Sequence, residues 1–336
     1  MSQKVLVVVC ATLLMCNLLL IDFPVLAQAI KLKYAHMHTP ESVCGRQAEM
    51  LAKLIEEKTG GAVKVEIYPT SQLGNLQEMA EMVSTGAIAI HHNTMAAIGS
   101  LCEPFAAFDT PYLYKSVDHL LKATDPYSSP IMQELNQELI KTRGVRVLYT
   151  FYFGTRQLTC NRPIYKPEDL KGVKIRSIPF PIYTTAVEGL GAIAVPIDWA
   201  EVPTALATGI VSGQENPVEI ILSAKLYEVQ KYLMLTGHIM GAEVVVFNEE
   251  TWQKLSPSIQ EKIIEAAKEV SSAATKMMLE AEAQAIQTLK ERGMTVIGPE
   301  DGLDIESFRK SVTKLVQERF REKFKPIYEA IEKIDP

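Results

Sequence analysis

Between Leu32 and Asn93 the chain exchanges two hydrophobic periods several times, and nothing else in the sequence limits its fold as much. "LKYAHMH" alternates, whereas "PESVCGRQAEMLAKLIEEKTGG" carries helical spacing, with Met50, Leu51, Leu54 and Ile55 in one stripe and Gly60-Gly61 as a stop. "AVKVEIYPT" returns to period two, setting Val63, Val65 and Ile67 against Lys64 and Glu66. "LGNLQEMAEMVSTG" reads as a short helix and "AIAIHHN" as another strand. Strand-helix-strand-helix-strand in about sixty residues means parallel pairing with helices over the sheet, an α/β fold.

The rest of the chain extends this pattern. "TDPYSSP" (Thr124–Pro130) is a surface break between helices, and "GVRVLYTFYFG" with "TRQLTCN" is a long β-rich run. "KPEDLKG" is a polar turn before the strand "GVKIRSI". A helix to about Leu190, the strand "AIAVPI", a helix around "WAEVPTALATG" and a strand ending in "SGQENP" follow. After the β-rich "YLMLTGHIMGAEVVVFNEETW", one helix is expected from Ser256, its N-cap, to Gly293, with Pro257 at the first helical position. Such a helix spans roughly 50 Å, enough to brace two lobes. The 336 residues allow two domains or one large one.

The first 29 residues stand apart. "MSQK" precedes an unbroken apolar run from Val5 to Ile21, and Ala27-Gln28-Ala29 has the small-x-small form of a cleavage site. We read 1–29 as a secretory signal peptide cleaved after Ala29, with an uncleaved anchor as the alternative. The mature chain is then exported and not inserted in the membrane. Its formal charge of −6, with no basic run, excludes nucleic acid as a natural partner. Cys44, Cys102 and Cys160 are too far apart for a disulfide framework and read as packing residues.

Catalytic motifs are weak. "GLGAIA" (Gly189–Ala194) fits a dinucleotide fingerprint in letters, but a helix precedes it and a strand follows, the reverse of the required order. There is no G-x-S-x-G elbow and no reactive cysteine motif, so neither an enzyme nor a cofactor is expected. "HMH" places His36 and His38 on one face at a strand end, the spacing of a metal pair or of two pocket-lining side chains.

Two arginines offer another chemistry. In "GVKIRSI" Lys174 and Arg176 share a face opposite Val173 and Ile175, and Arg156 follows a glycine in "FGTRQ". Periodicity alone reads both as the wet side of a sheet. A guanidinium fork, however, matches a carboxylate bidentately, and Asn216 in "SGQENP" and Trp199 in "IDWAE" could complete an anion site.

These same segments carry a resemblance. "GTRQLTCNRPIYKPEDLKGVKIRSIP", "GAIAVPIDWAEVPTALATGIVSGQENP" and "LYEVQKYLMLTGHI", with "IYPTSQLG" before and "FNEETWQKLSPSIQEKI" after, resemble the solute-binding proteins of tripartite ATP-independent periplasmic (TRAP) transporters, the DctP-like family. The resemblance covers the mature chain in order. It implies a two-lobed binding protein with a cleft between the lobes and a long helix across both. Lobe I would comprise residues 30–153 and 242–281, and lobe II residues 154–241 and 282–336. It implies further that Arg176 bridges the ligand carboxylate, that Arg156 and Asn216 are second contacts, and that Trp199 walls the site. His36, Asn93 and Phe180 complete the residues assigned to the cleft.

On this reading the protein is a periplasmic monomer that captures a small organic anion by hinge closure near Tyr152–Gly154 and His238–Ala242, then delivers it to membrane permease subunits. The segment "NTMAAIG" lacks the acidic residue and arginine found in the family's sialic-acid binders, which argues against that ligand. Two rival readings are an exported metal-dependent hydrolase using His36 and His38, and a binding module that senses its ligand for a membrane receptor.

Overall fold

The computed structural model describes residues 29–336; the expected signal peptide, Ala29 apart, lies outside the described residues. The first half is built from β1 (Ile30–Ala35), α1 (Val43–Lys58), β2 (Val63–Tyr68), α2 (Leu76–Ser84) and β3 (Ile90–Thr94). β1 pairs in parallel with both β2 and β3, as the exchange of periods requires. Local chemistry fixes the helix starts. The Ser42 side chain accepts from the Gly45 amide, and Asn75 with Glu78 forms a reciprocal capping box on α2.

After α3 (Met95–Ile98), α4 (Val117–Thr124) and α5 (Pro130–Arg143), the long strand β4 (Val145–Cys160) carries the chain into the second half. There follow β5 (Lys174–Ser177), α6 (Pro181–Gly189), β6 (Ile193–Pro196), α7 (Val202–Ala207), β7 (Gly213–Pro217) and α8 (Val218–Ser223). β5 lies parallel to β6 and β7, mirroring the first half. The return strand β8 (Tyr232–Asn248) pairs antiparallel with β4 along nearly its whole length. All strands join one nine-stranded sheet, ordered β2-β1-β3-β8-β4-β7-β5-β6, with β9 (Thr295–Ile297) on β8.

Between the halves, β4 and β8 are irregular. Their register shifts between Tyr152 and Gly154 and again between Arg156 and Leu158. Gly154 sits at φ 112°, and a Cβ there would lie 2.7 Å from the Pro217 Cβ, so both backbone and space demand glycine. Gly154→Ala should cost about 2–3 kcal/mol in urea unfolding, from strain plus displacement of Pro217. A loss below about 0.5 kcal/mol would show that the shifted register absorbs the methyl group.

α9 (Glu249–Gln253) leads to α10 (Pro257–Glu291), capped by Ser256 as its sequence announces. This 35-residue helix packs on α1 and β4 and, further along, on α8, so it touches both halves. Its Glu282 holds the irregular strand directly, accepting from the Thr155 amide at 2.8 Å and the Tyr152 hydroxyl at 2.7 Å.

The C-terminus departs from the expected lobe division. α11 (Ile305–Phe320) packs on α6 in the second half, but α12 (Lys325–Glu332) crosses back to the first. There Tyr328 Oη lies 2.9 Å from Thr110 Oγ1, and His119 Nε2 donates to the Ile331 carbonyl at 3.0 Å. Assigning all of 282–336 to lobe II therefore misplaces α12. Its apolar face, with Ile327 and Ile331 buried, is readable from periodicity; which half covers that face is not. Cys44, Cys102 and Cys160 are free and buried.

Candidate functional site

Residues at or just beyond the C-terminal ends of parallel strands from both halves line one cavity, the position where open α/β sheets bind ligands. His38 follows β1, Thr94 ends β3, Arg176 is the third residue of β5, and Asn216 lies near the end of β7. The crossing strands add Phe153 and Arg156 from β4 and Glu243 from β8. These residues, with Trp199, line one narrow cavity of about 30 Å³ between the halves. The halves also meet beside it: Glu219 Oε1 accepts from the Val43 amide at 3.0 Å, and Asn75 Nδ2 lies 3.4 Å from Asp198 Oδ2.

Both arginines are buried at 1% exposure, so the wet-face reading of their strands does not hold. Their surroundings differ. Arg156 is tied up by its own protein: Nη2 donates to Glu215 Oε1 at 2.9 Å, and Nε bonds Oε2 of the same carboxylate. Burial works against the Arg156 charge, but Glu215, with Tyr183 and Asp109 adding to it, raises its pKa on balance. Burial likewise opposes the Glu215 charge, yet Arg156 and the His238 ring 3.1 Å away hold that carboxyl down at about 2. Arg176 has no such partner. Its Nε donates to the Ile197 carbonyl at 2.8 Å and its guanidinium lies 5.8 Å from the centre of the Trp199 ring. Burial lowers its pKa to about 10, which leaves it charged at neutral pH.

One nitrogen on each arginine, Nη1 in both cases, is buried without a hydrogen-bond partner. Unpaired buried donors of this kind are expensive, and more so on a charged group. The cavity therefore joins an ion pair to one uncompensated cation. Its acidic member adds little opposing charge, because burial raises Glu243 to about 8. Burial also keeps the nearby imidazoles neutral, lowering His36 and His38 to about 3. The arrangement suits a small anion.

Four of the residues singled out in the sequence come together here: Arg156, Arg176, Asn216 and Trp199. Three do not line the cavity. Asn93 turns inward, donating to the Leu76 carbonyl at 3.0 Å and bonding the His91 ring, while its Oδ1 accepts from the Thr94 amide. Phe180 precedes α6 as a buried core residue. His36 is 1% exposed and stacks on His92 at 4.7 Å, one layer behind His38. The strand pattern identified the cleft end of β3, but not which of its consecutive side chains points out of the core.

Sequence reasoning passed over Glu215, Glu243, Phe153 and Thr94. Glu215 left a signal, as a lone acidic residue inside the apolar-flanked "SGQENP". Glu243 sits inside "GAEVVVF", where a charge on a central strand needs a reason.

Comparison with known proteins agrees with this geometry. The sequence profile described as bacterial extracellular solute-binding protein, family 7 (DctP) matches residues 34–323. The sialic acid-binding periplasmic protein SiaP of Vibrio cholerae is 34% identical, over 86% of this chain and 88% of its own. The 2,3-diketo-L-gulonate-binding periplasmic protein YiaO of Escherichia coli is 31% identical, over 88% and 87%. A TRAP periplasmic solute-binding protein from Polaromonas, solved bound to D-erythronate, superposes with a TM-score of 0.85 at 30% identity, covering 91% of this chain and 99% of that one. The chain belongs to family 7 of the bacterial extracellular solute-binding proteins, the TRAP solute-binding proteins.

Proposed function

We propose that this protein captures a short, hydroxylated organic acid in the cavity between its halves and hands it to TRAP membrane permease subunits. The observation that carries this reading is the pair of unpartnered Nη1 atoms, on Arg156 and Arg176, in one buried cavity. A carboxylate satisfies both and neutralises the Arg176 charge. Arg176 is the principal ion-pair partner, Arg156 a second donor already braced by Glu215, and Asn216 an amide contact beside them. The D-erythronate held by the Polaromonas relative supports the substrate class. The uncharged segment Asn93–Gly99 argues against sialic acid here, despite the similarity to SiaP.

The lobes hinge at the irregular stretch of β4 and β8, where Gly154 faces Gly241 and Glu282 anchors one side. Ligand contacts on both lobes favour the closed form, so capture and closure are one equilibrium. A signal peptide at 1–29 sends the chain to the periplasm, where it acts as a monomer and catalyses no reaction. Among the described residues no helix is long and apolar enough to cross a membrane.

A thermal-shift screen of the purified protein against short hydroxy acids, keto acids, sugar acids and sulfonates tests the substrate class. A ligand at a hundred times its dissociation constant adds about 2.7 kcal/mol, roughly 5 °C for a chain of this size. Shifts with hydroxylated C4 to C6 monocarboxylates are expected. Shifts confined to sulfonates or to sialic acid would overturn the class.

A further inference from the structure

Carboxylate capture leaves one group of polar atoms in the cleft unused. A ring nitrogen of His38, a ring nitrogen of His92 and a Glu243 carboxyl oxygen lie within 4.8 Å of one another. The three side chains are at least nine-tenths buried. Both imidazole Nε2 atoms and both Glu243 oxygens lack a hydrogen-bond partner. A carboxyl group buried with neither oxygen paired is costly unless something occupies the space between it and the rings. His38 and Glu243 also line the cavity, so a species bound there would meet the captured anion.

Spacing indicates what that species is. Metal-ligand bonds of about 2.0–2.1 Å in a tetrahedron put neighbouring donor atoms roughly 3.4 Å apart. His38 Nε2 stands 3.5 Å from Glu243 Oε1, too far for a good hydrogen bond and close to that edge length. Two imidazoles and one carboxylate, with a fourth position open, form the donor set of a zinc-type site. Outer support is present for His92. Its Nδ1 lies 2.7 Å from the Tyr34 hydroxyl, which bonds Gln47, itself bonded by Tyr149. Gln47 Nε2 donates to the Tyr34 hydroxyl oxygen, which can also accept Nδ1–H from His92, and in that tautomer the His92 Nε2 lone pair is free for a metal. The His38 ring is nearly parallel to that of His92, at 11° and 5.3 Å.

We propose that His38, His92 and Glu243 bind a divalent transition cation of the zinc class, whose open position faces the cavity and accepts an oxygen of the captured acid. The site differs from the His36/His38 pair considered from sequence, because His36 lies outside the group. Its ligands sit on neighbouring strands of the first half, β3 and β8, and just after β1, so it is complete without lobe closure. The cation therefore binds without the organic acid. Only the identity of its fourth ligand rests on the proposed function.

The test is calorimetric titration of chelator-treated, dialysed protein with zinc chloride, with elemental analysis of the bound metal. One zinc per chain at micromolar concentrations is expected, weakened by about 100-fold in Glu243→Gln and in His38→Ala. Cobalt(II) added instead should give the intense visible bands of a tetrahedral site, absent in both variants. Glu243→Gln keeps the shape and replaces a carboxyl that burial already holds largely neutral, so little effect on folding is expected. No zinc binding by the parent protein, or equal binding by parent and both variants, would overturn the site. The acid screen repeated in chelator separates the two readings. An acid that binds while zinc does not removes this inference alone, and zinc that binds while no acid does removes only the proposed function.

Discussion

Replacing Arg176 by methionine is expected to abolish measurable acid binding while leaving the ligand-free protein at least as stable as its parent. Removing one partner of a buried charge pair costs about 2–5 kcal/mol, a loss of roughly 30-fold to several thousand-fold in affinity. Calorimetry with the best acid from the screen would read it directly. The stability half of the prediction follows from the same geometry. In the ligand-free protein the guanidinium is a buried cation with one accepting carbonyl, from Ile197, and an unpartnered Nη1. Losing the Ile197 bond costs about 1 kcal/mol, whereas removing the uncompensated charge relieves a desolvation penalty of several kcal/mol. A residue that only braced the fold would behave the opposite way, with lower Tm and intact binding. That outcome would end the assignment of Arg176 as the ligand's ion-pair partner.

How much of this was legible in the sequence depends on the length scale of each signal. The parallel strands β1, β2 and β3 and the helix from Pro257 were readable because their hydrophobic periods are local and their caps, Ser42, Asn75 and Ser256, sit beside them. The return of α12 to the first half was not, since an amphipathic stripe records that a face is buried and not against what. Arg176 shows the same limit within the site. Alternation placed it on the face opposite Ile175 correctly, but the covering of that face by Trp199 and the cleft depends on residues far along the chain. Without the resemblance, the residues alone would have left it as a solvated side chain. His91 and His92 were equally opaque: three consecutive polar residues ending a buried strand look like its exit to solvent. Instead they continue the interior, with His91 bonded to the Ala35 carbonyl and His92 to Tyr34.

Glu215 should prove the opposite kind of residue from Arg176: Glu215→Gln is expected to destabilise the protein by about 3–5 kcal/mol, lowering Tm by roughly 10 °C. The amide cannot compensate the Arg156 charge, which would remain buried without its counter-charge. Arg156→Met in the same chain should recover most of the loss, because an apolar pair of similar volume carries no desolvation cost. The pH dependence supplies an independent reading. The folded Glu215 carboxyl titrates at about 2 against an ordinary 4.5, so the unfolded chain takes up the proton first as the solution is acidified. The stabilisation is complete above about pH 4.5 and drains away as pH falls toward 2, by about 3 kcal/mol in all. Urea unfolding at a series of pH values down to 2.5 would show this as a decline that Glu215→Gln lacks, so that the two proteins converge in acid. Parallel curves, with the deficit of the variant unchanged from pH 7 to pH 2.5, would mean that the pair contributes shape and hydrogen bonds but no charge. Arg156 would then be a free cation like Arg176, and the cleft would carry two uncompensated charges, suited to a dicarboxylate and not to the monocarboxylate proposed here.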